Sequence, residues 1–317
     1  MKLIYAYYDL RIAPLSFDFI HYLAIACAEA RKQDALLSVT LFYPSFRQSN
    51  FIELGYKGEY KNWKLSNVLV RICHLCPTVV EVTTNRSTQL RFSTPHYPPS
   101  YSPVTVDLSS GRTPLPITHH ELDAAMVSLE DRVIYRSTDY ADAWFKNKFG
   151  EEPLIVMTIR TTHLNAQRNA PLDIWYKAYR AITNAGYRCA VIPDQDDYLG
   201  PQAYTQFDWT VIGEASLDLD LRLALYRNSF ANVAWSSGTA GLFALCGANF
   251  MIFGIWNEAN PTSNRSFIER KGPRFQQQPP WFHPVRHRYN WHPAEQVTAD
   301  YLIDTTLTWL QELRNFQ

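Results

Sequence analysis

The stretch Asn232-Val-Ala-Trp-Ser-Ser-Gly-Thr-Ala-Gly-Leu-Phe-Ala-Leu-Cys-Gly-Ala-Asn-Phe-Met-Ile-Phe-Gly254 decides how this chain is read. An apolar run that starts at Phe230 and ends at Trp235 stops at Ser236-Ser237-Gly238-Thr239. A helical pattern of small residues follows, and a second apolar run covers Phe250 to Phe253. Short apolar runs broken by Ser and Gly read as strand, tight turn, helix, strand. Free backbone N–H groups at such a turn, flanked by hydroxyls, suit a phosphate or diphosphate. A Ser or Thr before a helix is also an ordinary cap. The order of the surrounding elements therefore has to carry the case.

That order is strand–helix throughout. In the first half, strands are expected over residues 3–7, 36–43, 78–83 and 132–135, with helices over 18–32, 68–75, 119–129 and 139–149. Gly150 caps the last of these helices. After Glu151-Glu-Pro153, a boundary candidate, a strong strand opens over 154–159. A helix over 172–185, strands over 188–192 and 209–212, and a helix over 217–226 lead into the quoted stretch. Residues 255–292 read as irregular, and 294–315 as a closing helix. Two such series predict an α/β protein with two Rossmann-like domains facing across a cleft. The expected division is 1–150, 151–293, and a helix in 294–317 that packs back on the first domain.

Composition narrows the function. Of 317 residues, 46% are hydrophobic and 19% charged, enough for sizeable cores and too apolar for global disorder. Lys plus Arg and Asp plus Glu are both 30, so the chain is neutral and poorly suited to non-specific nucleic-acid binding. Local basic patches leave room for peripheral contact with a membrane surface, although no run is long enough to span one. The N-terminal residues read as a strand, not a signal peptide, so a cytoplasmic protein is expected. The five cysteines are odd in number and widely spaced, and Cys73-His-Leu-Cys76 lacks a second ligand pair. They read as buried apolar thiols, with neither a disulfide framework nor a zinc site.

Ligands of open parallel sheets bind at the carboxyl ends of the strands. In the second half those positions hold Arg160, then Arg168 and Asn169; Asp194; Glu214; and Ser236, Ser237, Gly238 and Thr239. The guanidinium groups and hydroxyls would meet the charge of a diphosphate, and Asp194 or Glu214 would accept from ribose hydroxyls. Each alone is an ordinary loop residue; their shared location makes them a set.

Three stretches carry a family resemblance: Ile212 through Asn228, Ala231 through Gly241, and Ala248 through Gly254. Together they resemble the C-terminal nucleotide-sugar domain of GT-B-type glycosyltransferases. There a helix of "Leu-Ala-x-Leu-Tyr" type precedes a strand, a Ser-Gly turn opens the next helix, and a strand ending in Phe-Gly follows. The likeness covers residues 153–255. It implies a donor site in the second domain, an acceptor site in the first, and no essential metal or cofactor, the nucleotide-sugar being substrate. By that analogy Ser237, Gly238 and Thr239 hold the donor phosphate with help from Arg160. The chain departs from the pattern in lacking a Gly-rich loop after its first strand. Its segment 256–291 is also unusually long and carries six cations.

Transfer with inversion needs a base for the acceptor hydroxyl. Asp9, just after the first strand, is the first candidate; Asp18 and His21 at the start of the next helix, and Glu53 in the long loop over 45–64, are the others. Turn or cap roles compete for each aspartate. The expected activity is transfer of a sugar from a nucleotide-activated donor to a glycan or other hydroxyl acceptor. A nucleotide-sugar epimerase of the same fold and a non-catalytic glycan- or partner-binding module are the alternatives. The long loop at 45–64 and the Pro- and Tyr-rich segment at 93–116 favour an acceptor face, and so the transferase.

Overall fold

The structure is a computed structural model that describes residues 2–43, 58–86, 95–101, 115–162, 165–195 and 203–316. Glu53 and most of the segments 45–64 and 93–116 lie outside the described residues. The chain divides into two compact units, Met1–Arg136 and Ser137–Gln317.

The first unit is built on a four-stranded sheet in the order β3-β2-β1-β4. Its strands are β1 (Lys2–Asp9), β2 (Ala35–Phe42), β3 (Val79–Asn85) and β4 (His96–Tyr97), all paired in parallel. Helix α1 (Phe19–Lys32) makes the crossover from β1 to β2. Every residue from Tyr22 to Ala28 is buried on it, the pattern of a helix covered on all sides and not of one pressed by a single stripe on a sheet. Gly58–Lys64 (α2), a π-helical turn over Leu65–Val70 and Arg71–His74 (α3) follow one another without a break. Helix α4 (His119–Val127) starts at a capping box in which Thr118 and Glu121 satisfy each other's backbone N–H.

The expected strand at 132–135 does not form. Ile134 and Tyr135 are fully buried, so the apolar signal was real. Their backbone finds other partners: Arg31 donates to the carbonyls of Asp131 (2.9 Å) and Val133 (2.8 Å), and the Arg136 N–H donates to Leu75 O. The segment is held by a guanidinium in place of a ladder. In exchange, the short β4 lies in a region read as irregular.

The second unit holds five parallel strands in the order β6-β5-β7-β8-β9. They are β5 (Leu154–Thr158), β6 (Arg188–Ile192), β7 (Ala231–Trp235), β8 (Phe250–Phe253) and β9 (His287–Tyr289). Strands β5, β7 and β8 are buried at every residue, as expected for a sheet covered on both faces. Among the described residues its helices are α5 (Asp139–Phe149), α6 (Leu172–Asn184), α7 (Glu214–Leu217), α8 (Leu219–Asn228), α9 (Gly241–Leu245), α10 (Arg265–Lys271) and α11 (Ala299–Phe316). The strand expected at 209–212 shrinks to one bridge between Val191 and Val211. Strand β9 and helix α10 lie inside the segment read as irregular.

Two boundaries differ from the sequence expectation. Helix α5 belongs to the second unit, because Thr138 at its start gives its N–H (2.9 Å) and hydroxyl (2.6 Å) to the Asp220 carboxylate on α8. Helix α11, expected to return to the first domain, packs on α6: Leu302, Trp309, Leu310 and Leu313 enter one core with Trp175 and Ile182. Trp309 donates its indole N–H to Val285 O at 2.7 Å.

Each sheet has one point where the strand order reverses. In the first unit the chain leaves β1 for β2 and β3 on one side and reaches β4 on the other. In the second it leaves β5 for β6, then crosses to β7, β8 and β9. Ligands of open α/β sheets sit beyond the strand ends at such a reversal. The residues to inspect therefore follow β1, β5 and β7.

Candidate functional site

In the second unit, three of the strand-end segments are tied together by side chains. After β5, the loop over 165–170 returns so that Arg168 donates to Ser236 Oγ (3.4 Å), while the Trp235 indole N–H donates to Arg168 O (2.7 Å). Arg160 lies half-buried just past β5, and its carbonyl accepts from the Ala170 N–H. After β7, Ser236 donates its N–H to Phe253 O (2.8 Å), which fixes the start of the turn against the end of β8. Ser237 is extended, its Oγ 3.2 Å from Thr239 Oγ1. Gly238 is exposed and Thr239 buried. A 3-10 turn over Gly238–Ala240 runs directly into α9.

Thr239 leads to a residue that the sequence reading did not single out. Arg222 on α8 is 2% exposed. Its Nη1 donates to Thr239 Oγ1 (3.0 Å) and Tyr226 Oη (3.3 Å), its Nε to Ala215 O (2.7 Å) and its Nη2 to Pro193 O (3.3 Å). Pro193 also accepts from Ser216 Oγ at 2.9 Å, next to the half-buried Asp194. One guanidinium thus joins the carboxyl ends of β6 and β7 to α7 and α8. The signal was present in the sequence: Leu219, Arg222, Leu223 and Tyr226 share one helix face at i, i+3, i+4 and i+7, so a cation occupies a core position. Gln195 was missed too; it is 5% exposed, and its Nε2 has no hydrogen-bond partner among the described residues.

Two expected members are engaged elsewhere. The Asn169 amide brackets its own loop, accepting from Thr162 N (3.1 Å) and donating to Thr162 O (2.9 Å). Glu214 opens α7 and forms an ion pair with Lys148 of α5. The set that converges is Arg168, Ser236, Ser237, Thr239 and Arg222, with Arg160 and Asp194 at adjacent strand ends.

Gly254 holds the back of this set. It ends β8 at φ +70°, and a Cβ there would lie 2.3 Å from Cε2 of the Trp235 ring. Gly254→Ala is therefore expected to lower stability by about 2–3 kcal/mol and to loosen the Trp235–Arg168 contact, measured by urea unfolding. An unchanged midpoint would show that the ring can move aside.

In the first unit the three candidate bases have different surroundings. Asp9 is fully buried. Its Oδ1 accepts from the Arg11 N–H (2.9 Å) and Nε (3.1 Å), and its Oδ2 from Arg11 Nη2 (2.7 Å) and the Tyr101 hydroxyl (2.6 Å). Burial, then the Asp9 charge, push the Tyr101 phenol well above its ordinary range, so it stays a donor. Arg11 in turn lies 4.6 Å over the Phe42 ring. Both oxygens of the first-choice base are thus engaged by donors that join β1 to the segment after β4.

His21 packs between α1 and α4. Its Nδ1 lies 3.3 Å from Ile117 O, which requires the proton on that nitrogen, and its ring meets His119 edge-on at 4.5 Å. Burial lowers the pKa of both imidazoles. Asp18 is the exposed one. It stands at the start of α1 without capping it by its side chain, and its Oδ2 accepts only from Ser16 Oγ at 3.0 Å among its hydrogen bonds.

All five cysteines are buried free thiols, with Cys27 and Cys76 in Sγ contact. Among the described residues, no group of three or more His, Cys, Asp or Glu is placed to hold a metal ion, and no helix is long and apolar enough to cross a membrane.

No family model matches the sequence, and no curated protein matches it by sequence. The structure is similar to E. coli ADP-heptose lps heptosyltransferase II, with TM-score 0.53 and 11% identity over 98% of this chain and 99% of that one. It is also similar to E. coli heptosyltransferase WaaC with ADP, with TM-score 0.50 and 11% identity over 99% of each chain. At that identity the likeness concerns the fold: the α/β, GT-B-like architecture of two Rossmann-like units that the sequence resembles.

Proposed function

We propose that this chain is a glycosyltransferase that moves a sugar from a nucleoside-diphosphate donor to a hydroxyl acceptor such as a glycan. The second unit is the donor side and the first the acceptor side. The observation that carries the reading is the convergence of Arg168, Ser236, Ser237 and Thr239 where the β5/β7 strand order reverses. Cations and hydroxyl donors gathered at that point match a diphosphate. The heptosyltransferase fold, found in one case with ADP, supports the same ligand class.

The chemistry follows from the groups present. The acceptor oxygen must lose a proton as it attacks the anomeric carbon, and the leaving diphosphate gains negative charge as the sugar–oxygen bond breaks. Arg160, Arg168 and the Ser236–Thr239 turn meet that charge, so the proposed mechanism calls on no metal. Asp194 is assigned to the ribose hydroxyls. Asp18 takes the acceptor proton, because its carboxylate is accessible while that of Asp9 is saturated by Arg11 and Tyr101. Free thiols fit a reducing, cytoplasmic setting.

The test is a titration of ADP, GDP, UDP and CDP, and of their sugar conjugates, into the protein without added metal. One nucleoside diphosphate is expected to bind and raise the melting temperature. Arg160→Ala is expected to weaken that binding about tenfold or more, ~1.4 kcal/mol. Absence of binding for all four, in folded protein, would remove the donor site and with it the transferase.

A further inference from the structure

Arg222 poses a physical problem. Its guanidinium is withdrawn from water, yet its partners are two carbonyls and two hydroxyls, none of them a carboxylate. Burying a charge without a counter-ion is costly even when its donors are hydrogen-bonded. Packing alone therefore does not explain an arginine between Leu219, Leu223 and Tyr226. The four hydrogen bonds satisfy its donors but leave its charge unbalanced.

The geometry shows where that charge is felt. Thr239 Oγ1 accepts from Arg222 Nη1, which leaves its own hydroxyl proton to be donated; Ser237 Oγ lies 3.2 Å away, and either hydroxyl of that pair can be the donor. A hydroxyl that accepts from a cation becomes a stronger donor, and it does so most in a low-dielectric surrounding. Tyr226 Oη, the second hydroxyl on Arg222, lies 3.1 Å from Thr158 Oγ1 at the end of β5. One buried cation thus polarises hydroxyls at both strands flanking the β5/β7 reversal.

We propose that Arg222 is the positioning residue of the donor site: through Thr239 it aims a polarised hydroxyl at the donor's diphosphate, and that diphosphate is the counter-ion its guanidinium lacks. This rests on the donor-site reading above and adds what makes the turn select diphosphate over uncharged ligands. The protein then keeps an unstabilising charge in its core because bound ligand balances it. Arg222 acts at a distance from solvent and touches the ligand only by way of Thr239.

The experiment compares wild type with Arg222→Met, Arg222→Lys and Thr239→Val. Affinities are measured for the nucleoside diphosphate that wild type binds and for its parent nucleoside, together with the melting temperature without ligand. Arg222→Met is expected to weaken diphosphate binding roughly thirtyfold, the scale of a lost hydrogen bond to a charged group. Nucleoside binding should change by no more than about threefold, while the melting temperature should fall, because the Ala215 and Pro193 carbonyls lose a buried donor. Arg222→Lys keeps the charge without the fork and should recover part of the loss. Thr239→Val should reproduce the diphosphate loss, and adding Arg222→Met to it should cost little more.

A wild type that binds no nucleoside diphosphate defeats the donor site itself. A wild type that binds, with Arg222→Met binding equally well, overturns the proposal alone. Equal losses for diphosphate and nucleoside would do the same, since they mark a purely structural arginine. If Arg222→Met does not fold, Thr239→Val decides: unchanged preference for diphosphate over nucleoside overturns the proposal.

Discussion

Asp18→Asn is expected to lower turnover by roughly 10²–10⁴-fold, the range of general-base contributions, while leaving donor affinity and melting temperature unchanged. Asp18 is placed where its carboxylate holds nothing in the helix together. It sits at the N-terminal boundary of α1 with helical dihedrals, φ −59° and ψ −22°, and its side chain accepts no capping bond from the helix. Asparagine therefore removes a base without removing a cap. The residue is exposed, and among the described residues its carboxylate accepts a hydrogen bond from the Ser16 hydroxyl, so a substrate hydroxyl can reach it from solvent. The measurement is kcat with the identified donor and a hydroxyl acceptor, alongside KM for the donor. Turnover within about threefold of wild type would remove Asp18 from the mechanism, because a base is worth far more than that. A parallel rise in donor KM would instead assign it to binding.

Much of the second unit was legible because its strands are continuous apolar runs that stop at Gly, Pro or Ser. Such runs are what a sheet buried on both faces demands, and β5 to β8 appeared within a residue or two of expectation. The turn Ser236–Thr239 was visible for the same reason. Strands β4 and β9 were not, since two or three residues in Pro-, Tyr- and Trp-rich surroundings carry no period. Their pairing with β1 and β8 is a tertiary choice. Residues 132–135 show the opposite error: apolar character there meant burial, while Arg31, about a hundred positions earlier, took the carbonyls that a neighbouring strand would have used. Arg222 was readable as a charge on an apolar helix face, but its link to Thr239 was not. The different surroundings of Asp9 and Asp18 were hidden similarly: nothing in the local sequence announces that Tyr101, 92 positions away, donates to Asp9.

Asp9→Ala is expected to lose about 3–5 kcal/mol of stability in the first unit, the cost of leaving one member of a buried ion pair alone. Arg11 supplies the mechanism. Its side chain is 9% exposed and lies over Phe42, so it cannot regain full hydration without disturbing the end of β2. Removing the carboxylate also takes the acceptor at 2.6 Å from the Tyr101 hydroxyl and the one at 2.9 Å from the Arg11 backbone N–H. Each loses a charge-assisted hydrogen bond in a buried setting, where such bonds are worth most. Asp9 and Asp18 would look alike in an activity assay alone, since an unfolded first unit also stops turnover. Chemical unfolding separates them: Asp9→Ala should shift the denaturation midpoint strongly, whereas Asp18→Asn should not move it. A double variant, Asp9→Leu with Arg11→Met, removes both charges and should recover much of the lost stability, because the pair is replaced by apolar volume. If that variant also regains turnover, Asp9 serves the fold; if it folds and stays inactive while Asp18→Asn is active, the base is Asp9 after all.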